Sequence, residues 1–354
     1  MAMSRKIEFE GAWTALVTPF RENGEVDWDG LRRNIEFQIE QGISGLVPAG
    51  TTGESPTLTW DEHNEVVERT VKSAAGRVPV LAGAGSNSTS EAMDGARHAR
   101  DSGACGALLV DCYYNCPSSL ELRDNYYAAV ADAVPGFPIV PYVIPGRCVT
   151  ALSVEDLAVL RAEKPQVAAV KEATGDIQRM QRTRQLCGPD FAILSGDDDM
   201  TLKMMLDKGI GASGVISVMS NIAPAAVAAL VRAAKAGDAK KAGEIAEKLD
   251  PIFKLVSVKA ASERRIPGGT TVMMEDKFRN PVGVKTMMAG LGMIAGVLRK
   301  PLGRMPLGGV RAVRSALQTI WRKSPEILEP AGTFYRVDIA ARLADDRGWE
   351  SLAR

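Results

Sequence analysis

Eight short, β-rich apolar runs limit what this chain can fold into: WTALVT (13–18), SGLVPA (44–49), VPVLAGA (78–84), GALLVD (106–111), FPIVPYV (137–143), VAAVK (167–171), FAILSG (191–196) and ASGVIS (212–217). Between them lie amphipathic stretches such as DGLRRNIEFQIEQG and DEHNEVVERTVKSAAG, with helical apolar spacing and a glycine at the end. Strands that are apolar throughout are buried on both faces, so helices cover the sheet and the strands run parallel. Eight such units in about this length argue that the sheet closes into a (β/α)8 TIM barrel. An open doubly wound sheet is the competing arrangement. It is disfavoured because no glycine-rich nucleotide fingerprint follows the first run, and GAGSNS at 83–88 does not match one.

After the eighth run the sequence turns helical, with NIAPAAVAALVRAAKAGDAKKAGEIAEKLDPIFKLV (221–256) reading as two or three helices. The expected organisation is a catalytic barrel over 10–222, a C-terminal helical domain over 223–320 with an insertion near 259–280, and an extension over 321–354. The stretch from Arg299 to Pro325 holds seven Lys/Arg and no Asp or Glu, which reads as a solvated helical face or a subunit contact. Over the whole chain 43 basic residues balance 43 acidic ones, so no global charge points to nucleic acid or membrane. No apolar run is long enough to span a bilayer, and the N-terminal MAMSRKIEFEG lacks the apolar core of a signal peptide. Five cysteines without paired spacing suit a reducing compartment, and the cytoplasm is the expected location. Cys112 and Cys116 stand four apart, but the two histidines, His63 and His98, are far away in sequence, so no metal site is expected.

In a barrel of this kind the chemistry sits at the C-terminal ends of the strands. The second strand ends in AGTTGES (49–55), two hydroxyls and several backbone N–H groups in a glycine-flanked turn suited to a carboxylate. The fourth is followed by YYN (113–115). The fifth carries Tyr142 and then Arg147, and the sixth ends on Lys171. An ammonium group at the end of a buried strand is costly unless it is paired or gives up its proton. Lys171 therefore reads either as a structural lysine paired with a carboxylate such as Glu172 or as a nucleophilic amine. Tyr142, Arg147 and the Thr-Thr-Gly turn each have a bland reading alone: a core aromatic, a salt-bridge former, a plain turn. Together they supply what an enzyme acting on a keto acid needs: an amine to form a Schiff base, a hydroxyl to move protons, and donors for the carboxylate.

GTTGES, YYN, Y-x-x-P-G-R, KEATGD, LSGDD and GVIS, in that order, resemble the pyruvate-dependent class I aldolase family of dihydrodipicolinate synthase and N-acetylneuraminate lyase. The resemblance runs from roughly residue 10 to 320. It implies a lyase that needs no cofactor, with Lys171 forming an imine and then an enamine with pyruvate. It further implies Thr51 and Thr52 on the pyruvate carboxylate, Tyr142 as proton carrier, and Gly196 and Ile216 lining the pyruvate pocket. Tyr114 would complete a hydroxyl relay with Thr51 and Tyr142. In the family that tyrosine crosses from a neighbouring subunit, which implies a homodimer or homotetramer. Arg147 is the expected grip on a carboxylate of the second substrate and favours L-aspartate-4-semialdehyde, condensed on the route to lysine, over hydroxylated sugar acids. Trp60, His63, Asn87, Glu91 and Tyr113 resemble a lysine feedback site. The plain alternative there is a capped helix start at TWDEH.

Val143 departs from the asparagine usual after the strand-five tyrosine, and Cys148 and Val149 replace a typical Thr-Gly. These positions bear on the acceptor. A 4-hydroxy-2-oxoglutarate or 2-keto-3-deoxy sugar acid aldolase therefore stays open, as does a non-catalytic barrel that binds a small acid.

Overall fold

The computed structural model describes residues 8–354; residues 1–7, part of the stretch from which no leader is expected, lie outside them. The eight apolar runs form strands β1 (Gly11–Ala15), β2 (Gly45–Val47), β3 (Leu81–Gly83), β4 (Gly106–Val110), β5 (Ile139–Val143), β6 (Ala169–Glu172), β7 (Ala192–Ser195) and β8 (Gly214–Ser217). They lie in the order β2-β1-β8-β7-β6-β5-β4-β3, all parallel, and a Leu46–Val80 bridge joins the two ends of the sheet. This is the expected TIM barrel.

The barrel interior is filled by side chains from alternate strand positions, including Trp13, Leu81, Leu194 and Ile216, with Phe9 from ahead of β1 and Tyr142 at the same core. The outer faces of the strands meet the helices in a second, larger apolar layer. Register explains one small residue: Gly45 stands opposite Trp13, and a Cβ there would lie 2.2 Å from the indole.

The barrel's helices are α1 (Trp28–Glu40), α2 (Trp60–Ala74), α3 (Thr89–Asp101), α4 (119–133, with a π-helical middle), α5 (Val154–Glu163), α6 (Ile177–Cys187), α7 (Thr201–Leu206) and α8 (Pro224–Lys235). Local chemistry starts several of them. Asp27, Ser153 and Asp176 accept N-terminal backbone N–H groups, and Thr59 with Glu62 forms a full capping box at α2. Helix α8 packs on β1 and β8 and on α9 (Ala239–Phe253), and so joins the barrel to the helices that follow it.

The insertion, expected near 259–280 without an assigned structure, has a definite form. Residues 258–278 form an antiparallel hairpin, β9 (Val258–Arg265) and β10 (Thr271–Phe278), in continuous register from Val258–Phe278 to Arg265–Thr271. Its turn needs left-handed backbone at Gly268 and Gly269, with φ of +101° and +96°. The base is covered, with Val258 and Ala260 buried, whereas Met273 and Met274 farther out are exposed.

Helices α10 (Val282–Gly290), α11 (Leu307–Lys323), α12 (Glu329–Tyr335), α13 (Ile339–Ala344) and α14 (Asp346–Glu350) complete the chain. Three of the seven basic residues in that stretch are answered by the extension: Arg311 pairs with Glu350 at 3.3 Å, Arg314 with Asp346 at 2.5 Å, and Arg304 donates to the Ser351 carbonyl. Trp349 is buried, and a Cβ on Gly290 of α10 would lie 2.0 Å from its ring. The extension also reaches the barrel, where Phe334 packs at a tilt and Tyr335 edge-on against Phe37 of α1. Among the described residues no helix is long and apolar enough to cross a membrane.

Candidate active site

Lys171 is the third residue of β6, in register with Tyr142 on β5 and Leu194 on β7. Only 5% of it is exposed, and its Nζ lies 4.0 Å from the centroid of the Tyr142 ring. The strand's period of two answers the alternative raised by the sequence. Glu172 turns to the opposite face, fully buried, and pairs there with Arg179 at 3.2 Å. Lys171 forms no ion pair among the described residues. Burial pulls its pKa down to about 8, the charges of Asp197 and Asp198 pull it back up, and Arg147 lowers it further.

The neighbours explain how an amine fits there. A Cβ on Gly196 would lie 3.2 Å from Lys171 Cε, so the glycine leaves the side chain its space. Asp198 accepts from the Ser217 hydroxyl and from the backbone N–H groups of Val218 and Met219, at 3.0 and 3.2 Å, which ties the end of β7 to the end of β8. Asp197 is pushed up to about 6, chiefly by burial.

Tyr142 is 6% exposed, and burial raises its pKa, while the Arg147 charge and the Thr51 hydroxyl lower it. Arg147 follows on a helical turn, Pro145–Cys148, and its Nη2 donates to the Asn280 carbonyl at 2.9 Å. The turn after β2 is closed by Ser55 N–H on the Gly50 carbonyl and Glu54 N–H on the Thr51 carbonyl, both 3.2 Å. In it Thr52 is buried, and its Oγ1 accepts from Asn280 Nδ2 at 2.9 Å, leaving its own proton to donate elsewhere. A cavity of about 200 Å³ opens over this end of the barrel, lined among others by Thr51, Tyr113, Tyr142, Arg147 and Cys148.

The structure thus brings Lys171, Tyr142, Thr51, Thr52, Arg147 and Gly196 to one end of the barrel, with Ile216 in the apolar wall beside Tyr142. It does not bring Tyr114 there: that residue is 86% exposed, with a left-handed φ of +73°. Trp60, His63 and Tyr113 line a second cavity of about 130 Å³, which shares Ser55, Pro56, Gly85 and Tyr113 with the first. Both ring nitrogens of buried His63 lack a hydrogen-bond partner, and burial lowers its pKa. Glu91 is tied to Ser86 of that cavity at 2.5 Å, whereas Asn87 is exposed and outside its lining. The capped helix start at TWDEH is also present, so the two readings of that segment coexist.

Sequence reasoning missed Asn280, which touches both Arg147 and Thr52. It also gave no role to Glu54, Lys285 or the two aspartates beside Lys171. Glu54, Asp197 and Asp198 lay inside motifs already singled out, GTTGES and LSGDD. Asn280 and Lys285 follow the insertion and carry no local signal.

Comparison with known proteins gives one answer. Residues 8–267 match the model of the Dihydrodipicolinate synthetase family. A 4-hydroxy-tetrahydrodipicolinate synthase of Nitratidesulfovibrio vulgaris (strain DP4) is 44% identical over 296 residues, covering 84% of this chain and 93% of the relative. The crystal structure of dihydrodipicolinate synthase from Aquifex aeolicus superposes with a TM-score of 0.78 at 39% identity, over 91% of this chain and 100% of that one. Two further solved synthases carry ligands. The Acinetobacter baumannii protein, complexed with pyruvate, has 34% identity, a TM-score of 0.78 and coverage of 88% and 99%. The Cyanidioschyzon merolae protein, with lysine bound, has 32% identity, a TM-score of 0.78 and coverage of 88% and 98%.

Proposed function

The chain belongs to the Dihydrodipicolinate synthetase family and is a lyase with 4-hydroxy-tetrahydrodipicolinate synthase activity, and on that premise we propose that Lys171 is its imine-forming residue. The activity condenses pyruvate with L-aspartate-4-semialdehyde in lysine and diaminopimelate biosynthesis. The observation that carries the assignment is a buried amine with no ion pair among the described residues, its pKa lowered to about 8, at the C-terminal end of a barrel strand.

Neutral Lys171 attacks C2 of pyruvate, and loss of water leaves a protonated imine that acts as the electron sink. Loss of a methyl proton gives the enamine, whose terminal carbon attacks the aldehyde of the second substrate. The amino group of that substrate then attacks C2, closing the ring and returning Lys171 as a free amine. Tyr142, against the lysine and beside Thr51, is the group that passes protons in these steps. Thr51, Thr52 and the N–H groups of their turn hold the pyruvate carboxylate, with Gly196 and Ile216 shaping the pocket. Arg147 takes the carboxylate of the semialdehyde.

Tyr114 completes the hydroxyl relay of a neighbouring copy, which accounts for its exposure and implies a homodimer or homotetramer. A cytoplasmic location suits the five free thiols. A second reading concerns regulation: the cavity of Trp60, His63 and Tyr113 adjoins the first, and lysine is its proposed effector.

The test is borohydride reduction in the presence of pyruvate, with peptide mass spectrometry and turnover of the semialdehyde followed in parallel. A pyruvate-derived adduct on Lys171 with turnover is the expected result. An adduct on another residue, or none, would sink the assignment.

A further inference from the structure

A second lysine is buried more completely than Lys171 and has no part in the imine chemistry. Lys285, in α10, and Glu54, in the turn after β2, form an ion pair in which both side chains are inaccessible to solvent. The Lys285 ammonium also donates to the Val297 carbonyl at 3.1 Å and lies 4.0 Å from the centroid of the Phe20 ring. The other oxygen of Glu54 accepts the backbone N–H of Arg299 at 3.1 Å. Burial of a pair of charges in this way contributes little net stability against an apolar pair of the same shape. Its placement is the informative part.

Glu54 closes the Thr51-Thr52-Gly53 turn and does so in a left-handed conformation, φ +57° and ψ +36°, unfavourable for a residue with a Cβ. Something outside the turn has to hold it. Three residues that follow the hairpin do so in concert. Lys285 grips the Glu54 carboxylate, Asn280 donates to Thr52 Oγ1 at 2.9 Å, and Arg299 donates to the Thr57 carbonyl at 3.0 Å and to Glu62 at 2.6 Å. The turn is thereby fastened at residues 52, 54, 57 and 62 to a segment more than two hundred residues away. Helix α10 is buttressed in turn by the extension, where Arg342 donates to the Ala289 and Gly290 carbonyls at 2.8 and 3.0 Å.

We propose that Lys285 is a positioning residue for the synthase reaction: through Glu54 it sets the turn whose hydroxyls and N–H groups receive the pyruvate carboxylate. The inference rests on the assignment of that turn to the carboxylate. A point charge at the end of a helix-anchored stem fixes where the Glu54 carboxylate lies, and the backbone of residues 51–54 follows. Misplacing a substrate grip by an ångström can cost about a hundredfold in rate.

The test compares Lys285→Met, the double variant Glu54→Gln/Lys285→Met, and Thr52→Ala as a control on the turn itself. Lys285→Met strands a buried carboxylate and is expected to fold poorly. The double variant has no buried charge and is expected to melt within a few degrees of the parent. The proposal expects the double variant to show a pyruvate KM raised about tenfold or more, with kcat at saturating pyruvate and the KM for the semialdehyde within about threefold of the parent. A structural role alone would lower the active fraction and hence kcat, leaving KM in place. A parental pyruvate KM in the stable double variant would overturn the proposal while leaving the turn's assignment intact, provided that Thr52→Ala raises that KM. If neither variant changes it, the turn does not bind the carboxylate and both readings fall.

Discussion

Two buried lysines, one at the end of β6 and one behind the turn that follows β2, differ chiefly in what their ammonium groups touch. Each ammonium lies 4.0 Å from an aromatic centroid, Tyr142 for Lys171 and Phe20 for Lys285, and each is pulled below the ordinary lysine range by burial. Lys285 has the Glu54 carboxylate in contact, which works against burial, leaving its pKa at about 8, and fixes the ammonium in place. For Lys171 the nearest opposing charges, Asp197 and Asp198, act at longer range, and the strand's pleat turns Glu172 away to Arg179. Burial makes a lysine reluctant to carry charge; the absence of a partner in contact turns that reluctance into nucleophilicity.

The largest expected effect breaks the pair apart. Lys171→Met should abolish the trapped pyruvate adduct and reduce turnover by about 10⁴-fold or more. It should not destabilise the fold. With a native pKa of about 8 against 10.5 for an ordinary lysine, the unfolded chain binds more protons between those values. The burial penalty is therefore fully present below pH 8 and is relieved as pH rises toward 10.5. It amounts to about 3 kcal/mol by the usual conversion. Removing the group at pH 7 should raise Tm by a few degrees, whereas Lys285→Met should lower stability by about 3–5 kcal/mol. Thermal melts of the two variants side by side check this. A fall in Tm for Lys171→Met would mean that its ammonium has a partner after all.

Tyr142→Phe sharpens the same contrast by keeping the aromatic face against Lys171 and removing only the hydroxyl. Turnover should fall about 10²–10⁴-fold, while the pyruvate adduct still forms slowly in overnight trapping. An effect below tenfold would move proton transfer to another group. Arg147→Leu comes next. It removes the fork that Asn280 orients, and should raise the semialdehyde KM about 10- to 100-fold with the pyruvate KM unchanged. A smaller titration follows from Lys171 alone: trapping at low pyruvate should speed up about tenfold between pH 7 and 9, as the amine fraction rises through a pKa of about 8. A flat profile would mean that the amine is already neutral at pH 7.

The barrel was legible because its signal is repeated. Eight apolar strands and their capped helices each announce themselves within a few residues, and closure follows from their number. Lys171, Tyr142 and the Thr51-Thr52 turn were legible for a related reason: strand ends on one side of such a barrel converge. What stayed hidden depends on partners distant in sequence. Nothing near Glu54 says that Lys285 will reach it across 231 positions, and nothing near Asn280 says that it will touch Thr52 and Arg147. The hairpin was hidden otherwise. Its IPGGT turn is a fair hairpin signal, but strands exposed beyond their base lack the apolar run that made the other eight visible. The exposed Tyr114 is a further limit, since the role proposed for it lies in a neighbouring copy, and one chain does not place it there.

The smallest expected effect lies where the two regions meet. Trp60 heads α2, one turn of which holds Glu62, the residue gripped by Arg299 from the same C-terminal segment that carries Lys285. The Trp60 ring stands 4.9 Å from His63, and the cavity they line shares Ser55 and Pro56 with the cavity at the mouth of the barrel. An effector there changes turnover only if it binds two arrangements of that shared wall with different affinity. Trp60→Ala should therefore raise the lysine concentration for half-inhibition about fivefold or more, with turnover in the absence of lysine within about twofold of the parent. Titrating lysine at fixed pyruvate in both proteins reads the ratio directly. Equal sensitivity would remove Trp60 from the effector site; a large loss of basal turnover would place it instead with the clamp that shapes the carboxylate turn.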